Sequence, residues 1–230
     1  MKILFILLFT TPLISLAQAE NKAGVSEVYA SDTIVWFGAD FSLFNLCNHR
    51  KVGQEEELFV YIKAWKQQYD NISNTKLASL LQRKKVINDK EYTTQLNYSL
   101  KDRKWIKGID KKPRVTPSDI ADHIQDYDSE QIEGLGLVFI LESFYKAKPT
   151  NVFGYFVWFD IESKEILHIY NAKGKPSTGH INSWGVEITW DKSLPASKGM
   201  TGYWYQGMLD ATLNFTLDFK LAIPKKEKQY

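Results

Sequence analysis

The chain has 230 residues, with 29 Lys and Arg against 27 Asp and Glu, for a formal net charge of +2. That near-balance argues against a dedicated nucleic-acid binder and against an acidic tail protein, and the length is enough to bury one sizeable core. Cys47 is the single cysteine, which excludes an intramolecular disulfide and leaves stability to packing, with Cys47 read as a buried thiol.

The first residues, MKILFILLFTTPLISLAQA, combine one basic residue, a short apolar stretch and the small-residue pattern Ala17-Gln18-Ala19. This predicts a signal peptide over 1–19, cleaved after Ala19, and hence a periplasmic or secreted protein. Cleavage leaves 211 residues. No later stretch has the uninterrupted apolar length of a transmembrane helix, so no transmembrane segment is expected. No Gly/Ser/Pro-rich linker divides the remainder, which predicts a single domain over 20–224 and a disordered tail over 225–230.

After the signal, SEVYA and DTIVWFGADF are β-rich, and Thr33 to Asp40 is apolar at both parities, as expected of a strand inside a sheet. Gly38 would weaken that strand unless it makes a bulge or lets something approach closely. EEELFVYIKAWKQQYDN places Leu58, Ile62, Trp65 and Tyr69 on one helical face, with Glu residues in the first turn where the helix dipole favours them. Thr75 to Lys85 reads as a second, shorter helix, and Val86 to Trp105 as extended. Thr116-Pro117-Ser118-Asp119 has an N-cap Thr, a first-turn Pro and an acid three residues on, which predicts a helix through Ile120, Ile124 and Tyr127.

Next, GLGLVFILESFYK, NVFGYFVWFDI and EILHIY are joined only by AKPT and ESK, which predicts a three-stranded antiparallel meander over Gly134 to Tyr170. WGVEITW offers one more strand. Leu213, Phe215, Leu217, Phe219 and Leu221 alternate with polar residues and read locally as a half-buried strand. The expected fold class is therefore α+β: a mainly antiparallel, twisted sheet with a central meander and helices packed on it. Because residues 152–161 are apolar at both parities, both faces need cover, by loops, another layer or a second chain, which makes a homodimer a possible partner arrangement.

Four pieces, TIVWFGADFS, GLGLVFILESFYK, GYFVWFDIESKEIL and Gly202-Tyr203-Trp204, resemble a family of secreted or periplasmic Gram-negative bacterial proteins of unknown function. The resemblance implies an exported α+β domain, and it implies that the Gly-Tyr-Trp segment opens a C-terminal helix, in contrast to the local alternation. It carries no activity across.

Chemistry-bearing residues are few. Glu142, Asp160 and His168 lie on predicted meander strands among large apolar neighbours, where a carboxylate with a raised pKa and a histidine could support hydrolysis. The bland alternative is that Asp160 bonds its own turn and Glu142 emerges near a strand end. No Gly-x-Ser-x-Gly elbow supplies a nucleophile. Among the aromatics, Trp36, Trp158, Trp184, Trp190 and Trp204 are the ones to inspect as stacking surfaces, against a general expectation of burial. Trp184 and His180, in a polar, Gly-containing loop, are the candidate ligand contacts. Lys101 to Arg114 holds seven basic residues around Trp105, a candidate phosphate patch or simply a solvated loop balanced by the six acids of Asp119 to Glu133.

No cofactor or metal is expected. His49, His123, His168 and His180 show no i, i+4 pairing, Cys47-Asn48-His49 has no second cysteine pair, and Gly134-x-Gly136 lies inside a predicted strand rather than before a helix. Function is read as a non-enzymatic binding or assembly module in an envelope or glycan context, with a hydrolase using Glu142, Asp160 and His168 as the alternative. The expected partner is an envelope protein or a glycan, and export argues against nucleic acid.

Overall fold

The computed structural model describes residues 22–48, 54–107, 114–127, 132–146, 148–176, 182–183, 186–187 and 199–223. In chain order the elements are α1 (Lys22–Ala30), β1 (Thr33–Asp40), β2 (Asn45–Cys47), α2 (Glu55–Asp70), α3 (Asn74–Leu80), β3 (Lys85–Asn88), α4 (Glu91–Ser99), β4 (Ile106–Lys107), α5 (Pro117–Gln125), β5 (Leu135–Tyr145), β6 (Asn151–Asp160), β7 (Ile166–Gly174), the short pair β8 (Asn182–Ser183) and β9 (Val186–Glu187), and α6 (Gly199–Ala222).

The main sheet has seven strands, and five of them, β3, β1, β5, β2 and β4, run parallel. Strand β6 pairs antiparallel with the whole of β5 and with β7 on its other side. Since β6 occupies one edge of β5, β1 and β2 follow one another along the opposite edge, with β3 beside β1 and β4 beside β2. The fold is therefore α/β with a parallel sheet, which corrects the α+β, mainly antiparallel class expected from the sequence. The reason is local: β2, β3 and β4 are two to four residues long, too short to carry a period, whereas β5 to β7 announce themselves.

Two separate cores flank the sheet. On one face, Ile34, Trp36, Leu137, Phe139, Phe156 and Trp158 meet apolar residues of α2, α3 and α6; on the other, Val35, Phe37, Val138, Ile140, Val157 and Phe159 meet Ile120, Ile124 and Tyr127 at α5. The double-sided apolarity of β6 is thus covered within this one chain, by α6 on one side and the α5 layer on the other.

Helix α6 replaces the expected C-terminal strand. Trp204, Met208, Ala211, Phe215 and Phe219 recur at spacings of three and four and are all buried, a helical period that the alternation of 213–221 masks. Their rings stack on the sheet: Trp204 on Phe144 (4.8 Å between centroids), Phe215 on Phe156 (4.0 Å) and Phe219 on Trp158 (5.4 Å). The hydroxyls of Thr212 and Thr216 are satisfied within the helix, by Met208 O and Leu213 O. Backbone approaches closely where Gly174 of β7 faces Gly207 and Ala211; a Cβ on Gly174 would overlap the Gly207 carbonyl.

Other expectations change for tertiary reasons. SEVYA is helical, in α1, because Val28 packs into the core and the Arg83 guanidinium donates to the carbonyls of Val28, Tyr29 and Ser31 at the helix end. The 86–105 stretch is not extended throughout: β3 ends at Asn88 and α4 follows, with the Thr93 and Thr94 hydroxyls donating to Lys90 O in its first turn. Helix α3 stops at Leu80, earlier than the expected end at Lys85. At α5, the Thr116 side chain accepts from Asp119 N and the Asp119 carboxylate accepts from Thr116 N, the reciprocal cap that the sequence implies.

Candidate functional site

The connections around β1 leave it in opposite directions. From β1 the chain passes through β2, α2 and α3 to β3 on one flank, and from β3 it returns through α4, β4 and α5 to β5 on the other flank. The helices of the first crossover line one core and α5 lines the other. The carboxyl end of β1, beside β5, is therefore the point where the winding reverses, the place in a parallel sheet where loops diverge and ligands are generally accommodated.

Strand β1 is itself irregular there. Its pairing with β5 slips between Trp36 and Ala39, and Gly38 takes φ +83°. Beyond Trp36 there is no β3 residue to pair with, since the register ends at Asn88. Side chains supply the missing bonds: Thr93 Oγ1 donates to Phe37 O (2.6 Å), Asp70 Oδ1 accepts from Ala39 N (3.2 Å), Lys66 Nζ donates to Ala39 O (2.9 Å) and Asn97 Oδ1 accepts from Phe41 N (2.6 Å). Lys66 and Asp70, one helical turn apart, are also ion-paired at 2.8 Å. Burial drives the Asp70 pKa up, against the neighbouring Lys66 charge. These buried polar groups from α2 and α4 stand in for a strand, because a buried backbone N–H or C=O left unpaired is costly.

On the other face lies a second cluster. The Asp40 side chain is fully buried, and each oxygen takes two donors: Oδ1 from Ser42 N (2.7 Å) and Ser42 Oγ (2.5 Å), Oδ2 from His123 Nε2 (2.7 Å) and Tyr127 OH (2.5 Å). Burial alone would raise the Asp40 pKa, but bonding to His123, the His123 charge and the bonds from Ser42 and Tyr127 prevail and bring it down to about 2. For His123, burial disfavours the charged ring, yet the Asp40 bond and charge, with help from Asp126, raise its pKa overall. Each partner thus favours the charged form of the other. Arg103 lies close enough to act electrostatically on both Asp40 and His123, with its guanidinium 4.8 Å from the Trp105 ring centroid.

The residues singled out from the sequence sit elsewhere and apart. Asp160, at the end of β6, accepts from Ser163 N (2.8 Å) and Ser163 Oγ (2.7 Å) in its own turn, and these bonds lower its pKa. Glu142 lies at the bulge near the opposite end of β5 and accepts from Val115 N (3.1 Å). Tyr155 on that face is pushed up to about 12, by burial first and then by Glu142. His168 pairs with Trp158, whose ring belongs to the α6 face, so His168 and Glu142 lie on opposite faces of the sheet. The structure does not bring Glu142, Asp160 and His168 together. Trp184, Trp190 and His180 lie outside the described residues.

The remaining tryptophans, Trp36, Trp65, Trp105, Trp158 and Trp204, are all buried, so none presents a stacking surface. Cys47 is a buried thiol. In the basic run, Lys101, Lys104 and Arg114 are exposed and Arg103 and Lys107 half-buried. Sequence reasoning overlooked Asp40 and His123 as a pair, because 83 residues separate them. One signal was available: an Asp closing a largely apolar strand two residues after a Gly.

Among the described residues no three His, Cys, Asp or Glu side chains gather as a metal site, and no helix is long and apolar enough to cross a membrane. Fold and site together define an α/β protein with a parallel sheet and a hydrogen-bonded Asp40–His123 pair at its winding reversal. No protein-family model, curated protein sequence or solved structure gives a significant match to this chain.

Proposed function

We propose that this protein is an exported, non-catalytic binding module, acting in the periplasm or outside the cell, whose ligand contacts lie at the carboxyl end of β1. The observation that carries this reading is the coincidence of the winding reversal with the Asp40–His123 pair. A buried ion pair contributes little net stability compared with well-packed apolar residues, so its placement where ligands are accommodated favours a role in recognition. Export is supported by the composition of residues 1–19. Binding is favoured over hydrolysis because Asp40 already accepts four hydrogen bonds from the protein and is engaged as a structural acceptor rather than poised as a base.

The test is an NMR titration of the isotope-labelled protein with a panel of envelope metabolites, glycans and simple ions. Shift changes that cluster on Ser42, Arg103 and His123 support the reading. Shift changes confined to other surfaces, or none with any member of the panel, overturn it.

A further inference from the structure

We infer that the surface made by the outer side of α2, the end of α4 and the basic segment that follows lies against an anionic phospholipid bilayer. This goes beyond the ligand reading at β1 and does not depend on it. Four large apolar side chains stand exposed among the described residues, and two of them belong to this surface: Val60 of α2, 65% exposed, and Tyr98 near the end of α4, 39% exposed. Lys63 joins the two helices, its Nζ 4.6 Å from the ring centroid of Phe59 and 5.1 Å from that of Tyr98. It lies one turn beyond Phe59 and Val60, so these four side chains form one patch.

The basic segment is bonded to both helices. It leaves α4 through a turn in which Arg103 N donates to Leu100 O (3.0 Å), and farther on Trp105 N and Ile106 N donate to the Glu55 carboxylate in the first turn of α2 (2.8 and 3.1 Å). Lys63, Lys101 and Lys104 are exposed, and among the described residues none of them is in an ion pair. The exposed acids bordering them, Glu56, Glu57 and Asp102, are outnumbered once Arg103 and Lys107 are included. An apolar patch beside lysines matches a bilayer interface: Val60 and the Tyr98 ring enter the boundary of headgroups and acyl chains, the Tyr98 hydroxyl stays in the polar zone, and the ammonium groups meet phosphates. A soluble polyanion would engage the lysines but leave Val60 in water. Among the described residues no helix is long and apolar enough to cross a membrane, so the contact is with the bilayer surface.

Sedimentation of the chain from Glu20 onward, which keeps every described element, with vesicles of phosphatidylglycerol and of phosphatidylcholine tests this. Capture by phosphatidylglycerol that falls as salt is raised is expected. The double variant Lys101→Glu, Lys104→Glu should bind at least about tenfold more weakly, since each lysine beside an anionic surface contributes. Val60→Ser should bind about fivefold more weakly through lost apolar burial, whereas Leu221→Ser, on the exposed side of α6, should bind as the parent does. Circular dichroism and thermal unfolding check that each variant keeps its fold. No capture by phosphatidylglycerol, equal capture by phosphatidylcholine, or undiminished capture of the folded lysine or Val60 variants overturns the inference. So does a larger loss in Leu221→Ser than in Val60→Ser, which would place the contact on α6. Retention on immobilised heparin without vesicle capture overturns it too, because the lysines then serve a soluble polyanion.

Discussion

His123 Nε2 and Asp40 Oδ2 lie 2.7 Å apart, and this one contact ties the α5 layer to the end of the strand at which the sheet reverses its winding. Breaking it leaves a buried partner without its counter-charge, which is far more costly than never having had the pair. Asp40→Ala is therefore expected to lose about 3–5 kcal/mol in urea unfolding, because Ser42, His123 and Tyr127 all lose their acceptor. A loss below about 1 kcal/mol, the scale of an exposed pair, would show that water reaches the site.

The pair also sets a pH window. The His123 pKa is raised above 6.5, so its stabilising charge is fully present below that value and is lost as pH rises through the folded-state pKa. Asp40 is lowered from 3.8 to about 2, so its contribution, roughly 2–3 kcal/mol at one pKa unit per 1.4 kcal/mol, is present above 3.8 and lost as pH falls toward 2. The difference in unfolding free energy between wild type and His123→Gln should be largest between about pH 4 and 6.5. It should shrink as pH rises beyond that. A difference that grows between pH 6.5 and 9 would contradict the assigned charge state.

Gly38 takes φ +83°, and a Cβ there would stand 2.5 Å from Asp70 Oδ1. Gly38→Ala should destabilise by more than about 1 kcal/mol, the usual scale for a residue placed in a conformation it disfavours. The loss should be relieved in part by Asp70→Gly in the same chain, although that second change also strands Lys66. Chemical denaturation of the single and double variants measures the coupling.

Ser143 lies in β5 with its side-chain oxygen buried and, among the described residues, without a hydrogen-bond partner. Removing a hydroxyl that has no bond removes only its desolvation cost, so Ser143→Ala should be neutral or stabilising by up to about 1–2 kcal/mol. A shift of the thermal midpoint downward by several degrees would mean the hydroxyl is bonded in solution.

Helix α6 gives the sharpest contrast with local patterning. Read as a strand, Phe215 and Leu221 would share one face and respond alike. In the helix Phe215 is 1% exposed and Leu221 is 85% exposed. Phe215→Ala should cost about 3–5 kcal/mol, and Leu221→Ala less than about 0.5 kcal/mol, in parallel denaturant titrations.

The sequence by itself determined the elements whose pattern is dense and local. Gly134 to Tyr170 had three strand-length apolar runs with turn residues between them, Glu55 to Asp70 kept a helical stripe under an acidic first turn, and Thr116 with Asp119 marked a helix start. The apolarity of both faces of β6 likewise demanded cover on both. Only the tertiary structure decided the rest. Strands β2, β3 and β4 are too short to have a period, and they make the sheet parallel. Helices α1 and α6 depend on partners distant in the chain, Arg83 at the end of one and Phe144, Phe156 and Trp158 beneath the other. Asp40 and His123 acquire their meaning only on meeting, since a charge pair is a property of distance in space and burial, neither of which is written in residue spacing along the chain.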